Sequence, residues 1–269
     1  MAALDYYGLS FDPFDKNIMV GRQSFQSRDH KKAMEAMQDA VSRNGFSVIT
    51  ARSGLGKSHA VGRFLDSLDA SSHIAAYLAP GFATTPEFYR MLCIQFKLDP
   101  TGNKQRMLNT VKHYLHSCHL RNKPAVIVVD EAQDLKVDTL SELRILMNFE
   151  RDALSVFTLI LSGEPALASM IQNKEKLDAL KQRVTSHYNF TGLTNEEVCA
   201  YVTHKLEFAG GSNILMDDGA FRVLCESSQG ISRTIDHIMS DALKWGIQLN
   251  HRTLDAEIIQ RAVDSQSLI

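Results

Sequence analysis

One stretch constrains this chain more than any other: FSVITARSGLGKSH, Phe46 to His59. Phe46-Ser47-Val48-Ile49-Thr50 is apolar and β-branched, and it reads as a short buried strand. Ala51-Arg52-Ser53-Gly54-Leu55-Gly56-Lys57-Ser58 follows as a turn, and His59 to Leu65 has helical spacing. A strand, a glycine-bearing loop ending in Lys-Ser and then a helix is the context a phosphate-cradling loop requires. Backbone N–H groups of such a loop and of the helix N-terminus point at one place, where an anion is stabilised. Ser53, Gly54, Leu55, Gly56, Lys57, Ser58 and His59 are therefore the candidate triphosphate-binding residues. Lys57 would reach the β- and γ-phosphates, and the Ser58 hydroxyl would hold Mg²⁺. The usual pattern opens on glycine, and here that place is Ala51; Gly54 and Gly56 remain where the backbone must approach phosphate.

A second motif lies downstream. Ala125-Val126-Ile127-Val128-Val129 is a wholly apolar run between Pro124 and two acids, Asp130 and Glu131, which fits a central parallel strand. Such a strand delivers Asp130 at its C-terminal edge beside the phosphate loop, where Mg²⁺ needs an oxygen ligand, directly or through water. Glu131 is then placed to polarise an attacking water as general base. The two motifs together, in this order, point to ATP binding, and the paired acids to its hydrolysis.

Three further residues attach to that pocket. Leu159-Ile160-Leu161 runs out at the same sheet edge into Ser162, whose hydroxyl could bond the γ-phosphate or the water, or could cap the next helix. Lys181-Gln182-Arg183 ends a helix before the expected last strand. Arg183 could cross a subunit boundary to another protomer's γ-phosphate, or serve the helix dipole, with Lys181 a competing candidate. Gly230-Ile231-Ser232-Arg233 opens a long helix, from which Arg233 could reach the phosphates or lie at the surface.

The chain's 269 residues suffice for one large domain, or one domain with a small lid. Hydrophobic content of 44% and charged content of 22% are those of an ordinary globular protein. A formal charge of -2 excludes a global polycation. Cys93, Cys118, Cys199 and Cys225 lack paired spacing and are expected to be buried thiols of a reducing cytosol. MAALDYYGLS has neither the basic start nor the apolar core of a signal peptide, and no run of about 18 apolar residues occurs. The expectation is a cytoplasmic protein with no membrane partner.

Periodicity orders the elements. Residues 1–28 form an aromatic, irregular arm around Tyr6, Tyr7, Phe11 and Phe14, expected to pack on the body or on a neighbouring subunit. A helix from Arg28 ends at Gly45; a strand is expected over 73–79, helices over 84–96, 104–120 and 138–149, and strands over 156–161 and 187–191. Beyond Thr194 every segment is helical: 194–209, 217–227, 231–248 and 255–264. Composition shifts there too: residues 191–269 carry six Lys/Arg against eleven Asp/Glu, while 1–190 carry 23 against 20. The expected domains are the arm 1–28, an α/β nucleotide-binding core 29–191 and a helical lid 192–269.

These residues in this order resemble the AAA+ ATPases, specifically the ExeA-like branch, which is similar to the transposition ATPases of the TniB, TnsC and MuB kind. The resemblance covers most of the chain through YYGLSFDPF, SRDHKKAMEAM, ARSGLGKS, VIVVDEAQDL, LILSGEPAL, LKQRV and GISRTIDHI. It implies an α/β P-loop NTPase core of AAA+ type, a parallel sheet sandwiched by helices, followed by an all-helical lid. It implies Lys57 and Ser58 as phosphate and Mg²⁺ residues, Asp130 as the metal residue and Glu131 as the catalytic acid. Ser162 takes the place of sensor 1, Arg183 of the arginine finger and Arg233 of sensor 2. Ser162 departs from the family if that sensor should be Asn or Thr.

Secretion-type members carry a membrane segment and a wall-binding region after the core, whereas this sequence stops at Ile269, so it looks more like the transposition branch. That branch implies ATP-dependent assembly on duplex DNA as rings or helical filaments, and recruitment or stimulation of a transposase or integrase, with a target-selector protein as a further partner. One local feature agrees: residues 81–123 hold Arg90, Lys97, Lys104, Arg106, Lys112, Arg121 and Lys123 against only Glu87 and Asp99. Lys104, Arg106 and Lys97 are the candidate DNA contacts. A secretion-associated ATPase and a signalling nucleotide switch are the alternatives. His113, His116, Cys118 and His119 share a helix but not a face, so a metal site is not expected there. Trp245 reads as core.

Overall fold

A sheet whose strands are hydrophobic on both faces must be covered on both faces, and the observed sheet follows that rule. The computed structural model describes residues 6–15, 25–79, 84–149, 155–211 and 216–266. Strands β1 (Phe46–Thr50), β2 (Ile74–Leu78), β3 (Ala125–Val129), β4 (Phe157–Gly163) and β5 (Val184–Asn189) pair in parallel in the order β2-β3-β4-β1-β5. Every residue of β1, β3 and β4 is buried, whereas β5, at one edge, alternates between half-buried and exposed positions. Before β1 comes α1 (Arg28–Ser42), and between the strands run α2 (Lys57–Ser67), α3 (Thr85–Gln95), α4 (Lys104–Leu120), α5 (Val137–Met147), α6 (Pro165–Asn173) and the short α7 (Asp178–Lys181). The apolar faces of α3 to α7 and the sheet share one core, in which Phe46, Phe88, Leu92, Ile127, Leu140 and Leu159 are sealed from solvent. This is the AAA+ P-loop NTPase fold that the sequence leads one to expect.

Two strands differ most from the sequence reading. β4 continues through Gly163 rather than ending at Leu161, because Ser162 and Gly163 still pair with Ile49 and Thr50. β5 starts at Val184 and stops at Asn189, not over 187–191. Val184 already pairs with Phe46, while the N–H groups of Thr191 and Gly192 donate to the Asp29 carboxylate instead of to a strand.

The chain divides into two compact units, one made of residues 30–53 and 57–190, the other of the described residues up to Asp29, Gly54–Gly56 and the residues from Thr191 on. In the second unit α8 (Asn195–Phe208), α9 (Asp218–Ser228), α10 (Ser232–Gln248) and α11 (Ala256–Gln266) enclose a core of their own. Thr194 and Glu197 start α8 with a capping box. The arm packs on this unit: Leu9 and Phe14 are buried among its helices, Ser10 N–H donates to the Ala209 carbonyl at 2.8 Å, and the Tyr7 hydroxyl donates to the His251 carbonyl at 2.8 Å. No helix among the described residues is long and apolar enough to cross a membrane. Cys93 and Cys118 are buried as expected; Cys199 and Cys225 are only half-buried and interact with each other, and burial pushes both of those thiols up.

Candidate active site

Strand register builds the site. Val129 lies opposite Leu161 and Ile49 opposite Ser162, so one residue further on Asp130 comes beside Ser162, next to the loop that leaves β1. That loop is tied to the sheet by Ala51 N–H, which donates to the Gly163 carbonyl at 3.0 Å. Ala51 is buried and is not among the residues of positive φ, so its backbone makes no demand for glycine. Gly54 and Gly56 have φ of 86° and 88°, the left-handed region in which a side chain is strained. They cannot be replaced so easily.

Lys57 opens α2 and is 6% exposed. Its Nζ sits 3.0 Å from Asp130 Oδ1 and 2.9 Å from Glu131 Oε1. Ser162 Oγ donates to the same Asp130 oxygen at 2.7 Å, Glu131 N–H donates to it at 3.0 Å, and the Tyr77 hydroxyl donates to Oδ2 at 3.0 Å. Burial alone would raise the Asp130 pKa, but the Ser162 hydroxyl, Lys57 and the Glu131 amide outweigh it and hold the carboxyl below its ordinary range. Tyr77 is pushed up to about 12 by burial and by the Asp130 carboxylate, so its hydroxyl stays a donor. Glu131 has φ 46° and ψ 40°, a left-handed backbone unusual for glutamate.

One ammonium faces two carboxylates here, and the residual negative charge suits a divalent cation. The donors present are hard oxygens, the Asp130 carboxylate and the Ser58 hydroxyl, of the kind Mg²⁺ takes. The loop, with its left-handed Gly54 and Gly56, and Lys57 suit the phosphates. The residues therefore fit a nucleotide with its metal ion.

The other candidates are placed as follows. Ser58 is exposed in the first turn of α2, Ser53 is exposed in the loop, and Leu55 is buried. The His59 ring lies 5.6 Å from that of His30. Arg183 follows α7, and its guanidinium donates to the Met147 carbonyl and to Asn148 Oδ1 at the end of α5. Arg233 belongs to the helical unit, where its N–H and the Ser232 hydroxyl donate to the Gly54 carbonyl at 3.1 and 2.7 Å. The sequence argument thus foresees Lys57, Asp130, Glu131 and Ser162, which the structure brings together. It misses Tyr77 and Gln133, whose only signals are a polar residue near the end of β2 and the glutamine of Asp-Glu-Ala-Gln.

The basic stretch changes most. Lys104 pairs with Glu142 at 2.9 Å, Arg106 with Asp99 at 3.3 Å, and Lys112 donates to the Asn148 carbonyl and lies over the Phe149 ring. The excess of cations counted along 81–123 is therefore smaller in space than in sequence. Lys97 is exposed just past α3.

Fold and site together are those of the AAA+ P-loop NTPases. Residues 38–171 match the family model described as AAA domain. The chain is 30% identical over 244 residues to General secretion pathway protein A of Aeromonas hydrophila, a match covering 88% of this chain and 44% of that protein. The chain thus spans less than half the length of this relative. Among solved structures it resembles the Aeropyrum pernix ORC2 protein in ADPNP–ADP complexes, with a TM-score of 0.68, 14% identity and coverage of 96% of this chain and 72% of that one. It also resembles the Aeropyrum pernix ORC1 protein in complex with DNA, with a TM-score of 0.63, 13% identity and coverage of 90% and 66%. At such identities these likenesses speak for the fold.

Proposed function

We propose that the protein is a Mg²⁺-dependent ATPase of the cytoplasm that assembles on duplex DNA and there selects target sites, or recruits or stimulates a transposase or integrase. The observation that carries the ATPase part is Lys57 buried between Asp130 and Glu131 at the sheet edge. In this reading Lys57 and the loop amides bind the β- and γ-phosphates. Ser58 and Asp130 would hold Mg²⁺, which supplies charge neutralisation on the phosphates. Glu131 takes the proton of the attacking water, and Ser162 orients that water or the γ-phosphate from beside Asp130. Arg183 acts on the nucleotide of a neighbouring protomer in a ring or filament, exchanging its partners at the end of α5 for phosphate oxygens. Arg233, in the first turn of α10, reports nucleotide state to the helical lid. The functional division in this reading is an arm 1–28, a core 29–191 and a lid 192–269.

Support for DNA comes from the basic stretch, where Lys97 is exposed and Lys104 and Arg106 would exchange Glu142 and Asp99 for phosphate oxygens, and from the DNA complex of the ORC1 neighbour. Phosphate contacts of this kind bind without reading bases and weaken as salt rises. A second reading, a secretion-linked ATPase, is favoured by the identity to General secretion pathway protein A. ATP hydrolysis measured with and without duplex DNA at two salt concentrations, with electron microscopy of the ATP-bound mixture, separates them. Salt-sensitive stimulation and rings or filaments on DNA are expected. Turnover indifferent to DNA, with no assembly, would sink the DNA reading and leave the nucleotide-switch and secretion ones.

A further inference from the structure

Gln133 spans two strand ends. It lies in the turn Ala132–Asp134 that follows β3, and its Nε2 donates to Glu131 Oε2 at 2.8 Å. Its Oε1 accepts the N–H of Glu164, the residue after β4, at 2.9 Å. A carboxylate can only accept and a backbone N–H can only donate, so the amide has one orientation that serves both. Gly163 makes room for this bridge: a Cβ there would stand 2.6 Å from Gln133 Oε1. The glutamate so held is the one with the left-handed backbone.

We propose that Gln133 is the positioning residue of the hydrolytic reaction, holding the Glu131 carboxylate on the end of β4 in the orientation that meets water. The inference rests on the reading of Glu131 as general base. Of the two contacts on that carboxylate, the one from Lys57 at 2.9 Å must yield when the ammonium turns to phosphate oxygens. The Gln133 contact need not yield, because it falls on Oε2 and leaves Oε1, which Lys57 vacates, to meet water. Without it, Glu131 keeps its place in the chain but loses the bond that fixes its plane. General-base catalysis is sensitive to such small misplacement.

The test measures kcat, KM, affinity for a fluorescent ATP analogue and thermal stability for Gln133→Ala, Gln133→Glu and Glu131→Gln. Gln133→Ala is expected to lower kcat about 100-fold while KM and analogue affinity stay at wild-type values. Gln133→Glu keeps an acceptor for the Glu164 N–H but sets a carboxylate against Glu131, so kcat should fall at least as far in a protein that still folds. This variant carries the test if Gln133→Ala does not fold. Wild-type kcat in both Gln133 variants, or a loss that appears equally in analogue affinity, overturns the proposal. If Glu131→Gln is inactive while Gln133→Ala turns over normally, only the positioning role fails. If Glu131→Gln turns over normally, the general-base reading fails, and this inference with it.

Discussion

Lys57 in the α/β unit and Lys205 in the helical unit are 6% and 4% exposed, and each meets an aspartate, at 3.0 and 2.7 Å. Around Lys57 stand two carboxylates, and Asp130 also collects a serine hydroxyl, a backbone amide and a phenol. Around Lys205 stand one carboxylate, Asp236, and the rings of Tyr201 and Phe14 at 4.9 and 5.4 Å. The aspartates move in opposite directions. Asp130 is held below its ordinary range; Asp236 is raised, because burial outweighs Lys205 and the hydroxyl of Tyr201. A buried lysine–aspartate pair is therefore not in itself the mark of a site. What marks one is negative charge in excess of the lysine, held ionised by partners that can be exchanged. Lys205 instead closes an aromatic seam under the arm, with its charge already balanced.

Substitution of the two lysines should split binding from stability. Lys57→Ala is expected to weaken a fluorescent ATP analogue about 1,000-fold, ~4 kcal/mol, with the melting of the helical unit unchanged. That melting is followed by Trp245, the chain's 1 tryptophan. Lys205→Ala should do the reverse. It costs the helical unit about 3 kcal/mol, the low end for breaking a buried pair because Asp236 can accept a proton, and it leaves the analogue affinity of the folded protein intact. Nucleotide binding lost in the Lys205 variant but kept in the Lys57 variant would invert the comparison.

Acid should act on the two aspartates with opposite sign. Asp130, depressed in the folded state, stabilises above its ordinary value of 3.8, and that contribution is lost as pH falls through the depressed value. Asp236, raised in the folded state, makes its contribution fully below 3.8 and loses it as pH rises through the raised value. Urea unfolding followed by Trp245 should therefore show the wild type gaining on Asp236→Asn as pH drops from 6 to 4, by at most about 1.4 kcal/mol per pH unit. Asp130→Asn, with unfolding of the α/β unit followed by circular dichroism, should differ from wild type in its pH dependence only below about pH 4. A common sign for both would show that the Asp236 direction is wrong. The smallest effect belongs to the arm: Tyr7→Phe removes the bond to the His251 carbonyl and should cost about 1 kcal/mol in the same unfolding experiment.

Much of the nucleotide pocket was legible before any fold was known, because its parts are local. Gly54, Gly56 and Lys57 belong to one loop, and Asp130 and Glu131 end one apolar strand. The tolerance of Ala51 was less legible. It depends on a φ outside the positive region, which the neighbouring residues do not reveal. The basic stretch misled for the same kind of reason. Lys104 finds Glu142 on a helix 38 positions away, so a count along the chain overstated the charge left for phosphates.

By itself the sequence determined the fold class: a phosphate loop and an acid-tipped strand can be specified by residue type and spacing, since backbone geometry within a few residues follows from glycine, β-branching and period. Which side chains complete the pocket was decided only when β3, β4 and β1 took their register. Asp130 meets Ser162, Tyr77 reaches Asp130, and Gln133 bridges Glu131 to Glu164 through contacts spanning 32, 53 and 31 positions. Partners so far apart are chosen by how the sheet pairs and packs, and no short window of residues encodes that.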